Sequence, residues 1–577
     1  MTGPAPSSTS LAVVARVQAA LAAPGTPFET VETPHGRRYV NGPVVLRDLL
    51  DATRAHGDRP FLRLGDRGYT FAEHHAAAAA LAHRCLEHYG LRPGDRLAIA
   101  MRNLPEWQVA FWAAQLAGLI AVPLNAWWSA EELGYALDDC APGLIVADAE
   151  RAERLTGWLA GRGAERPWLL TVGAADDLAD GGPAGGPNSR TERFAELPAP
   201  ADAVAAPDVA ISPGDDATIM YTSGTTGRPK GVVATQAAWC AAAVSPRFFG
   251  ATAALTAGRD PARVPPQTAL MTYPFFHVAA FTALFPLMAN GGTAVLMRRW
   301  DPATALELIA RHTVTTYYGV PTTALGLLDA ADRAGDPLPG LAVISTGGAA
   351  APPGLARRIA RRFAGRVEAR NGYGLTETCG GVIANVGARY LEHPERVGRP
   401  APALEVRIAG PAGEPLPEGA VGELWLRGQA VFRGYWNQPE ATAAVLSDGW
   451  FRTGDLARLH DGEICVVDRL KDLVIRGGEN VYCVEVEGVL QDHPAVADAA
   501  VLGVPHPLLG EEVAAVVRLR PGTRADAGEL RGHVAARLAA FKVPAHVVFR
   551  GEALPRNATG KVLKRQLRGE VLAELRA

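Results

Sequence analysis

The segment from Tyr221 to Gly231, YTSGTTGRPKG, holds the residue types that bind phosphate groups. Its glycines let backbone N–H groups turn toward an anion, its hydroxyls can donate to phosphate oxygens, and its two cations offset their charge. The spacing does not fit a Walker A loop, because Arg228 and Pro229 precede the lysine and a glycine follows it. A plain flexible linker is the alternative, but linkers rarely carry this order of residues beside a buried strand. The candidate phosphate-binding residues are Thr222, Ser223, Gly224, Thr225, Thr226, Gly227 and Lys230.

This loop closely resembles the phosphate-binding signature of the adenylate-forming superfamily, which includes acyl-CoA synthetases, luciferases and peptide-synthetase adenylation domains. Further motifs follow in that family's order and approximate spacing, so the resemblance extends from about Val44 to Arg568. It implies that the protein uses ATP and Mg²⁺ to convert a carboxylic acid into an acyl-adenylate. A thiol then accepts the acyl group.

Two later segments resemble the family's adenine-binding elements. Gly348 and Ala349 follow an apolar run, and small residues there would let a flat base lie against the backbone. In the segment NGYGLTE, Tyr373 offers an aromatic face on which adenine can stack. The nucleotide-binding candidates of these two segments are Gly348, Ala349, Asn371, Gly372, Tyr373 and Gly374.

The resemblance also assigns residues to the α-phosphate, the metal ion and the ribose. Thr376 would reach the α-phosphate, and Glu377 would hold Mg²⁺, an ion that keeps several waters and takes phosphate oxygens. Asp455 of the TGD motif would accept both ribose hydroxyls, which suits an acceptor-only carboxylate. Arg469 resembles the family's ribose or phosphate contact.

Lys561, in the segment PRNATGK, resembles the superfamily's catalytic lysine. The acyl carboxylate and the α-phosphate are both anions, and their approach costs roughly several kcal/mol unless a cation neutralises them. A lysine of ordinary pKa is charged at pH 7 and can bridge the two groups. A solvated lysine near the C-terminus is the alternative interpretation.

The segment DRLKD resembles the family's hinge, about which a small domain rotates between the two half-reactions. Lys471 is the expected pivot, directly after a predicted hairpin strand, and hinges are a few residues at the end of an element. The following segment RGGENVY resembles the CoA-ligase version, although Cys483 stands where many relatives have proline. In the rotated state Gly477 and Gly478 would let pantetheine pass close to the backbone. No carrier domain is expected, so CoA is the favoured thiol.

The apolar segment YPFFHVAAF resembles the acyl pocket of fatty acyl-CoA synthetases. His277 is expected beside the acyl carboxylate, and Phe281 is expected to gate the pocket. Core packing is the alternative for the aromatic residues. Neither this segment nor YYGVPTT holds an acidic or permanently cationic residue, which favours an apolar acid: medium- or long-chain fatty, branched, aromatic or alicyclic. The predicted pocket residues are Phe276, Phe281, Tyr318 and Val320.

Bulk composition limits the other classes of function. A chain of 577 residues is too long for one core, since single cores stop growing near ~250–300 residues. Its net charge of −3 produces no field that would attract nucleic acid. Its six cysteines form no C-x-x-C pair, which favours free thiols in a reducing cytosol. We recognise no secretory signal and no apolar run of the ~18 residues that span a bilayer, so a cytoplasmic protein is expected, with a homodimer left open.

The order of apolar runs predicts an α/β fold. Strand-like runs alternate with helical segments between Leu97 and Val146, which indicates parallel βαβ layers. After Leu404 the apolar residues alternate with period two, and Asp461-Gly462 predicts a hairpin.

We therefore expect a large N-terminal domain of βα-layered sheets with a small barrel-like subdomain, followed by a small, mobile α+β C-terminal domain. The first 45 or so residues are expected to dock on the main body as an extension. The expected limits are 1–467 for the large domain with an insertion or flexible loop at about 172–213, 468–471 for the hinge and 472–577 for the small domain.

Three other functions stay open at this point. The protein could be a stand-alone ligase that loads a carrier protein, and CoA-dependent release of AMP would distinguish the two. It could oxygenate the adenylate as luciferases do. It could also be a non-catalytic nucleotide- or acyl-binding protein, against which the intact Lys561, Glu377, Asp455 and Lys230 argue.

Overall fold

The computed structural model describes residues 11–173, 190–197, 204–222, 228–557 and 560–576. Within these ranges the strands are β1 (Thr30–Thr33), β2 (Gly36–Tyr39), β3 (Pro60–Leu64), β4 (Arg67–Thr70), β5 (Arg96–Ala100), β6 (Ile120–Pro123), β7 (Leu144–Asp148), β8 (Trp168–Val172), β9 (Thr191–Arg193), β10 (Asp216–Thr222), β11 (Lys230–Thr235), β12 (Thr268–Met271), β13 (Thr293–Leu296), β14 (Thr316–Gly319), β15 (Val343–Gly347), β16 (Glu368–Leu375), β17 (Gly380–Val386), β18 (Arg399–Pro400), β19 (Leu404–Ala409), β20 (Gly422–Gly428), β21 (Gly434–Tyr435), β22 (Leu446–Ser447), β23 (Trp450–His460), β24 (Glu463–Arg469), β25 (Val474–Arg476), β26 (Glu479–Val481), β27 (Val496–His506), β28 (Gly510–Leu519) and β29 (His546–Arg550).

The α-helices of the described residues are α1 (Leu11–Leu21), α2 (Leu46–Ala52), α3 (Phe71–Glu87), α4 (Pro105–Leu116), α5 (Ala130–Cys140), α6 (Ala149–Ala160), α7 (Gln236–Thr256), α8 (Ala279–Ala289), α9 (Pro302–Arg311), α10 (Pro321–Ala334), α11 (Pro353–Phe363), α12 (Ala388–Glu392), α13 (Pro439–Ala443), α14 (Cys483–Gln491), α15 (Ala527–Ala535) and α16 (Lys564–Arg576). None of these helices is both long and apolar enough to cross a bilayer.

Two large sheets form the body of the N-terminal domain. The first has strand order β21-β11-β10-β6-β5-β7-β8-β9, and the second has β18-β17-β16-β15-β14-β12-β13-β3-β4. The inner strands of both sheets are parallel, and antiparallel strands lie at the β21 edge of the first and at both edges of the second. The alternation predicted between Leu97 and Val146 is confirmed, since β5, α4, β6, α5 and β7 follow one another there.

The core has five layers because inner strands are apolar on both faces. In β5, Leu97 and Ile99 pack between the two sheets, whereas Ala98 and Ala100 pack on the outer face of the first sheet. Helices α3, α4, α7 and α8 fill the central layer. Helices α5 and α6 cover the outer face of the first sheet, and α9, α10 and α11 cover that of the second.

A third, antiparallel sheet contains the predicted hairpin. Its strand order is β19-β20-β23-β22, with β24 paired to β23. His460 pairs with Glu463, and the two residues between them, Asp461 and Gly462, both have positive φ angles, 52° and 74°. Positive φ at both positions is what a two-residue hairpin turn requires, so the predicted hairpin is confirmed.

The C-terminal domain is smaller and has its own sheet. Strands β26, β25, β28 and β27 are antiparallel neighbours, and β29 pairs in parallel with β28. Helices α14 and α15 pack on one face of this sheet, and α16 packs on the other. The segment predicted to be the hinge coincides with the end of β24 at Arg469 and a turn that follows it.

The N-terminal segment and the predicted insertion both contain regular structure within the described residues. The N-terminal segment docks on α7: the Phe28 and Phe248 rings lie edge to face at 5.4 Å, and Tyr39 Oη lies 3.2 Å from Ser245 Oγ. The predicted insertion is not irregular throughout, because β9 adds to the edge of the first sheet and Glu192 accepts hydrogen bonds from Arg84. Residues 174–189 and 198–203 of that insertion lie outside the described ranges.

Phe281, the predicted gate of the acyl pocket, lies in the central aromatic core. Its side chain is fully buried, and its ring centroid lies 4.7 Å from that of Phe111 and 4.8 Å from that of Trp239. The structure therefore agrees with the alternative interpretation, in which Phe281 is a core residue and not a gate. Phe276 lies nearer the surface, where its ring packs edge to face against the exposed Trp127 at 5.3 Å.

We expect Phe281→Ala to lower the free energy of unfolding by about 3–5 kcal/mol, because it leaves a cavity among rings that cannot collapse into it. Phe276→Ala is the matched control and should cost less than half as much. Thermal-unfolding midpoints of the two variants and the parent check this. A midpoint for Phe281→Ala equal to that of the parent would contradict the core assignment.

Candidate active site

Four strand ends of the second sheet bring candidate residues from distant parts of the chain to one edge. His277 follows β12, Val320 follows β14, Gly348 follows β15, and Asn371–Gly374 lie within β16. β12, β14, β15 and β16 are consecutive parallel neighbours. The carboxyl ends of parallel strands are where α/β folds place their ligands, so the sheet itself defines the location of the site.

Two glycines at this edge leave the backbone exposed without side chains. A Cβ atom on Gly347 would lie 2.9 Å from the carbonyl oxygen of Gly372 on the neighbouring strand, so no larger residue fits. Gly348 has a φ of +77°, and a Cβ there would lie 4.0 Å from His277 Cε1 and 3.9 Å from Val320 Cγ1. Predicted base-binding and acyl-binding residues are therefore adjacent. Ala349 follows them and is partly exposed.

A carboxylate, a phenol and a guanidinium group form one cluster at the start of the hinge. Tyr373 donates to Asp455 Oδ2 at 2.6 Å, and Arg469 Nε lies 3.2 Å from Asp455 Oδ1. Asp455 and Arg469 face each other in the β23–β24 ladder, which fixes this geometry. Burial and the Asp455 charge hold the pKa of Tyr373 well above its usual value, so the hydroxyl stays a donor.

Glu377 lies in a second cluster with an aromatic residue and a cation. Tyr435 donates to Glu377 Oε1 at 2.9 Å, and the Lys230 ammonium lies 4.8 Å from the centre of the Tyr435 ring. Burial raises the pKa of Glu377. Thr376 begins the short 3₁₀ helix that contains Glu377. Thr222 pairs with Lys230 across β10 and β11, and the phosphate-loop residues between them, Ser223 to Gly227, lie outside the described residues.

The C-terminal domain brings Lys561 to these clusters. Its pKa is lowered to about 8, by burial first and by Arg469 next, while Asp455 and Glu377 act in the opposite direction. Gly560 has a φ of +80°, and a Cβ there would lie 3.2 Å from Val320 Cγ2 of the large domain. The lysine therefore sits on a loop packed directly against the predicted acyl pocket.

Hydrogen bonds within the C-terminal domain fix the conformation of the lysine loop. Arg556 binds both oxygens of Asp498, at 2.7 and 2.9 Å, and donates to the carbonyl oxygen of Gly560 at 2.6 Å. The backbone N–H of Lys561 donates to Asn557 Oδ1 at 2.9 Å. Residues 558 and 559 lie outside the described ranges.

His277 is neutral at physiological pH and has a defined tautomer. Burial, reinforced by the Lys561 charge, lowers its pKa to about 3. Its Nδ1 accepts a hydrogen bond from the Ala279 backbone N–H at 3.2 Å. The remaining proton is therefore on Nε2, which makes that atom a hydrogen-bond donor.

Asn371 carries an acceptor without a protein partner. The residue is 7% exposed, and its Oδ1 atom has no hydrogen bond among the residues that the structure describes. Buried polar atoms in native proteins are nearly always bonded, so such an atom at a ligand edge indicates a donor that arrives with the ligand.

The hinge segment is tied to the C-terminal domain by polar contacts. Asp468 accepts hydrogen bonds from the backbone N–H groups of Arg469 and Cys483, and the Cys483 thiol donates to the Asp472 carbonyl oxygen at 3.1 Å. Burial raises the pKa of Asp468 to about 6. The predicted pivot Lys471 is exposed in the turn itself.

Gly477 and Gly478 are not brought to this edge of the sheet. They form the exposed turn between β25 and β26, with φ angles of 59° and 88°. The nearest neighbour of a Cβ on Gly477 is Leu509, and nothing lies within 4 Å of one on Gly478. A role for them requires another arrangement of the domains.

Sequence reasoning missed Tyr435 and Arg370, and it assigned no contact to Asp468 of the predicted hinge. Tyr435 orients Glu377, Asp468 joins the hinge to α14, and Arg370 lies on β16 beside the predicted pocket residue Tyr318. No sequence signal identified Tyr435 or Asp468 for these contacts. Arg370 could have been found, because it precedes NGYGLTE by one position and is a charge on an inner strand.

Comparison with known proteins agrees with this geometry. The family profile described as AMP-binding enzyme matches residues 49–436, and the AMP-binding enzyme C-terminal domain matches residues 485–561. A feruloyl-CoA synthase of an Amycolatopsis species is 37% identical over 512 residues, covering 88% of this chain and 95% of the relative. A long-chain-fatty-acid–CoA ligase of Mycobacterium tuberculosis is 34% identical over 513 residues, covering 86% and 93%.

A solved structure of a CoA synthetase is also similar to this chain. The o-succinylbenzoate-CoA synthetase of Bacillus subtilis, in complex with its acyl-adenylate intermediate, superposes with a TM-score of 0.74 at 30% identity, over 90% of this chain and 97% of that one. The chain therefore belongs to the AMP-binding family of adenylate-forming enzymes, in its acyl-CoA synthetase branch, whose members use ATP and CoA as substrates.

Proposed function

We propose that the protein converts an acid with an apolar body into its CoA thioester through an acyl-adenylate, with release of AMP and diphosphate. The observation that carries this is the position of Lys561. The C-terminal domain brings it close enough to Asp455 and Glu377 for their charges to act on its pKa, and the adjacent Gly560 packs against Val320. A nucleotide site and an acyl site thus share one cation.

The nucleotide fits the residues of the strand edge. Adenine would lie against the Gly347–Gly348 backbone and the Tyr373 ring, and its amino group would donate to the unpartnered Asn371 Oδ1. Asp455 Oδ2 accepts a hydrogen bond from Tyr373 and Oδ1 forms an ion pair with Arg469, and both oxygens have a lone pair left for a ribose hydroxyl. The phosphates would extend toward Lys230 and the Ser223–Gly227 loop.

Adenylation forms one bond and breaks one. A carboxylate oxygen of the acid attacks the α-phosphorus of ATP, the bond from that phosphorus to the bridging oxygen breaks, and diphosphate leaves with the bonding electrons. His277 Nε2–H would orient the carboxylate without adding charge. Lys561 would lie between carboxylate and α-phosphate and stabilise the charge that builds up there. Thr376 would donate to the same phosphate.

A magnesium ion fits the Glu377 side of the site. The described residues include no group of three His, Cys, Asp or Glu side chains that could hold a metal, so a cation here would take its other ligands from phosphate oxygens and water. That is the coordination which Mg²⁺ prefers. When bound, the ion would offset phosphate charge, and the Tyr435 hydroxyl would fix the Glu377 carboxylate that holds it.

Thioester formation needs a second arrangement of the domains. The CoA thiolate attacks the carbonyl carbon of the adenylate, and AMP leaves with the bridging oxygen. We infer that rotation about Lys471 removes Lys561 and brings Gly477 and Gly478 to the site. The positive φ angles of both glycines and their open surroundings support a close approach of pantetheine to the backbone.

The names of the relatives, with feruloyl, long-chain-fatty and o-succinylbenzoate acids, favour an acid with a sizeable apolar body for this chain too. A cytoplasmic location is supported by six buried cysteines, all free thiols. A homodimer and the absence of a nucleic-acid partner stay predictions. Loading of a carrier protein is the alternative to CoA, and AMP release that depends on CoA would exclude it.

We expect Lys561→Ala to slow adenylation by about 10²- to 10³-fold, because the charge between the two anions is lost. ATP–diphosphate exchange measures this half-reaction alone. Arg565→Ala removes an exposed cation four residues away and should leave the rate unchanged. Unchanged exchange in Lys561→Ala would refute the proposed role.

The pH profile offers an independent test of Lys561. A lysine with a pKa of about 8 is charged below that pH and neutral above it, so kcat/KM for adenylation should fall about tenfold per unit once the pH exceeds ~8. Lys561→Arg keeps its charge over this range, and its residual activity should show no such fall. The same alkaline limb in both enzymes would assign it to another group.

We expect Lys471→Pro to spare adenylation and to slow thioester formation by about 10²-fold or more, because proline restricts the torsions that a pivot must change. Diphosphate exchange measures the first half-reaction, and transfer from preformed acyl-adenylate to CoA measures the second. Lys471→Ala, which removes the charge but leaves the torsions free, should retain both. Equal losses in the two half-reactions of Lys471→Pro would count against the hinge.

A further inference from the structure

The second sheet carries a run of polar side chains in a layer that is otherwise apolar. Hydrogen-bond register aligns Leu296, Met271, Tyr318, Ser345 and Arg370 in one row across β13, β12, β14, β15 and β16. Residues in one row of neighbouring strands point to the same face of a sheet. Leu296 and Met271 are buried in the central layer between the two sheets, so the whole row faces that layer.

The side chains of Tyr318, Ser345 and Arg370, the polar half of this row, must border open space. β14, β15 and β16 are inner strands, yet Tyr318 and Ser345 retain partial exposure and the Arg370 side chain is 20% exposed. No hydrogen bond to the Tyr318 hydroxyl or to the Ser345 hydroxyl is present among the described residues, and neither is a buried atom lacking a partner. These groups therefore border a cavity at the edge of the central core, against which Tyr318 packs.

The cavity is continuous with the proposed acyl site. The next row on the same face, two residues further along each strand, contains Val320, Gly347 and Gly372 at the catalytic edge. Strands rise about 3.3 Å per residue, so the polar row lies roughly 7 Å below that edge. An acid whose carboxylate meets His277 and Lys561 would place its far end at Tyr318, Ser345 and Arg370.

The charge at this inner end is positive. Arg370 Nε donates to Glu368 Oε1 at 2.7 Å, and Arg259 also binds Glu368, at 3.0 Å. Two guanidinium groups share one carboxylate, which leaves one positive charge. Burial acts to raise the pKa of Glu368, but the two arginines outweigh it and hold it below its usual value, so the carboxylate stays charged. Burial also raises the pKa of Tyr318, which keeps its hydroxyl a donor.

We propose that Tyr318, Ser345 and Arg370 form a distal subsite that selects acids carrying an oxygen acceptor about 7–9 Å from the carboxyl carbon. This inference rests on the proposed function and narrows its substrate class. The segments YPFFHVAAF and YYGVPTT would supply the uncharged walls of the pocket, whereas the cation at its end comes from β16, which is separated from β14 by β15. The preferred acid thus has an apolar body and a hydroxyl, ketone or carboxylate oxygen at its far end.

Paired acids that differ only in the distal oxygen test the subsite. The pairs are 4-hydroxycinnamic against cinnamic acid and 7-oxo-octanoic against octanoic acid, each assayed with ATP, Mg²⁺ and CoA. The unmodified enzyme should favour the oxygenated member of at least one pair by about tenfold or more in kcat/KM. A bound acid displaces water from the Tyr318, Ser345 and Arg370 donors, and an acid without a distal oxygen leaves them without an acceptor. Arg370→Leu should reduce that ratio to about one.

Milder variants keep the test valid if Arg370→Leu folds poorly. Tyr318→Phe and Ser345→Ala each remove one hydroxyl and should lower the ratio severalfold, and Arg370→Lys should restore part of it. Arg361→Leu, on the exposed side of α11, is the matched control and should keep the full ratio.

The outcomes separate the two proposals. Activity with ratios near one in the unmodified enzyme, or ratios that Arg370→Leu and Tyr318→Phe leave unchanged, would overturn the subsite and leave the synthetase intact. If no acid yields AMP and a thioester in any pair or in a wider panel, the proposed function itself fails.

Discussion

The reaction of two anions is the constraint on which the rest of this structure depends. A carboxylate cannot approach the α-phosphate of ATP closely without a cation between them, and Lys561 is the residue positioned to supply it. Burial has lowered its pKa to about 8, and the anionic Asp455 and Glu377 act in the opposite direction. Because the lysine belongs to the C-terminal domain, its removal by rotation would also clear the site for the thiol. The position of Lys561 on the C-terminal domain thus links charge compensation in the first half-reaction to the domain motion before the second.

The second sheet positions the residues around the two anions. Its parallel strands bring the segments that we propose to bind the acyl group and the base to a common edge, and Gly347 leaves the backbone there without side chains. One row deeper, the same face presents Tyr318, Ser345 and Arg370. By our proposal, a single sheet face therefore determines both where the carboxylate reacts and which group the far end of the acid must carry.

Sequence reasoning reached the fold class, the strand–helix alternation and the Asp461-Gly462 hairpin, because each depends on local patterns of a few residues. It also selected residues that the structure brings together, such as Tyr373 with Asp455, because they belong to short linear motifs. It could not place Phe281, since an aromatic residue in the core and one at a pocket have the same local pattern. Tyr435 and Arg370 act on Glu377 and Tyr318, which are distant from them in sequence, and the contact of Asp468 with Cys483 depends on how α14 packs against the hinge. The predicted role of Gly477 and Gly478 requires a different arrangement of the domains, which no local pattern of residues specifies.

The fate of the carboxylate oxygens tests the central claim most directly. The acid labelled with ¹⁸O in both carboxyl oxygens is turned over with ATP, Mg²⁺ and CoA, and the products are analysed by mass spectrometry. Attack on the α-phosphorus followed by thiolysis predicts one ¹⁸O atom in AMP and one in the thioester. Label in inorganic phosphate or diphosphate, or unlabelled AMP, would contradict an acyl-adenylate formed at this site.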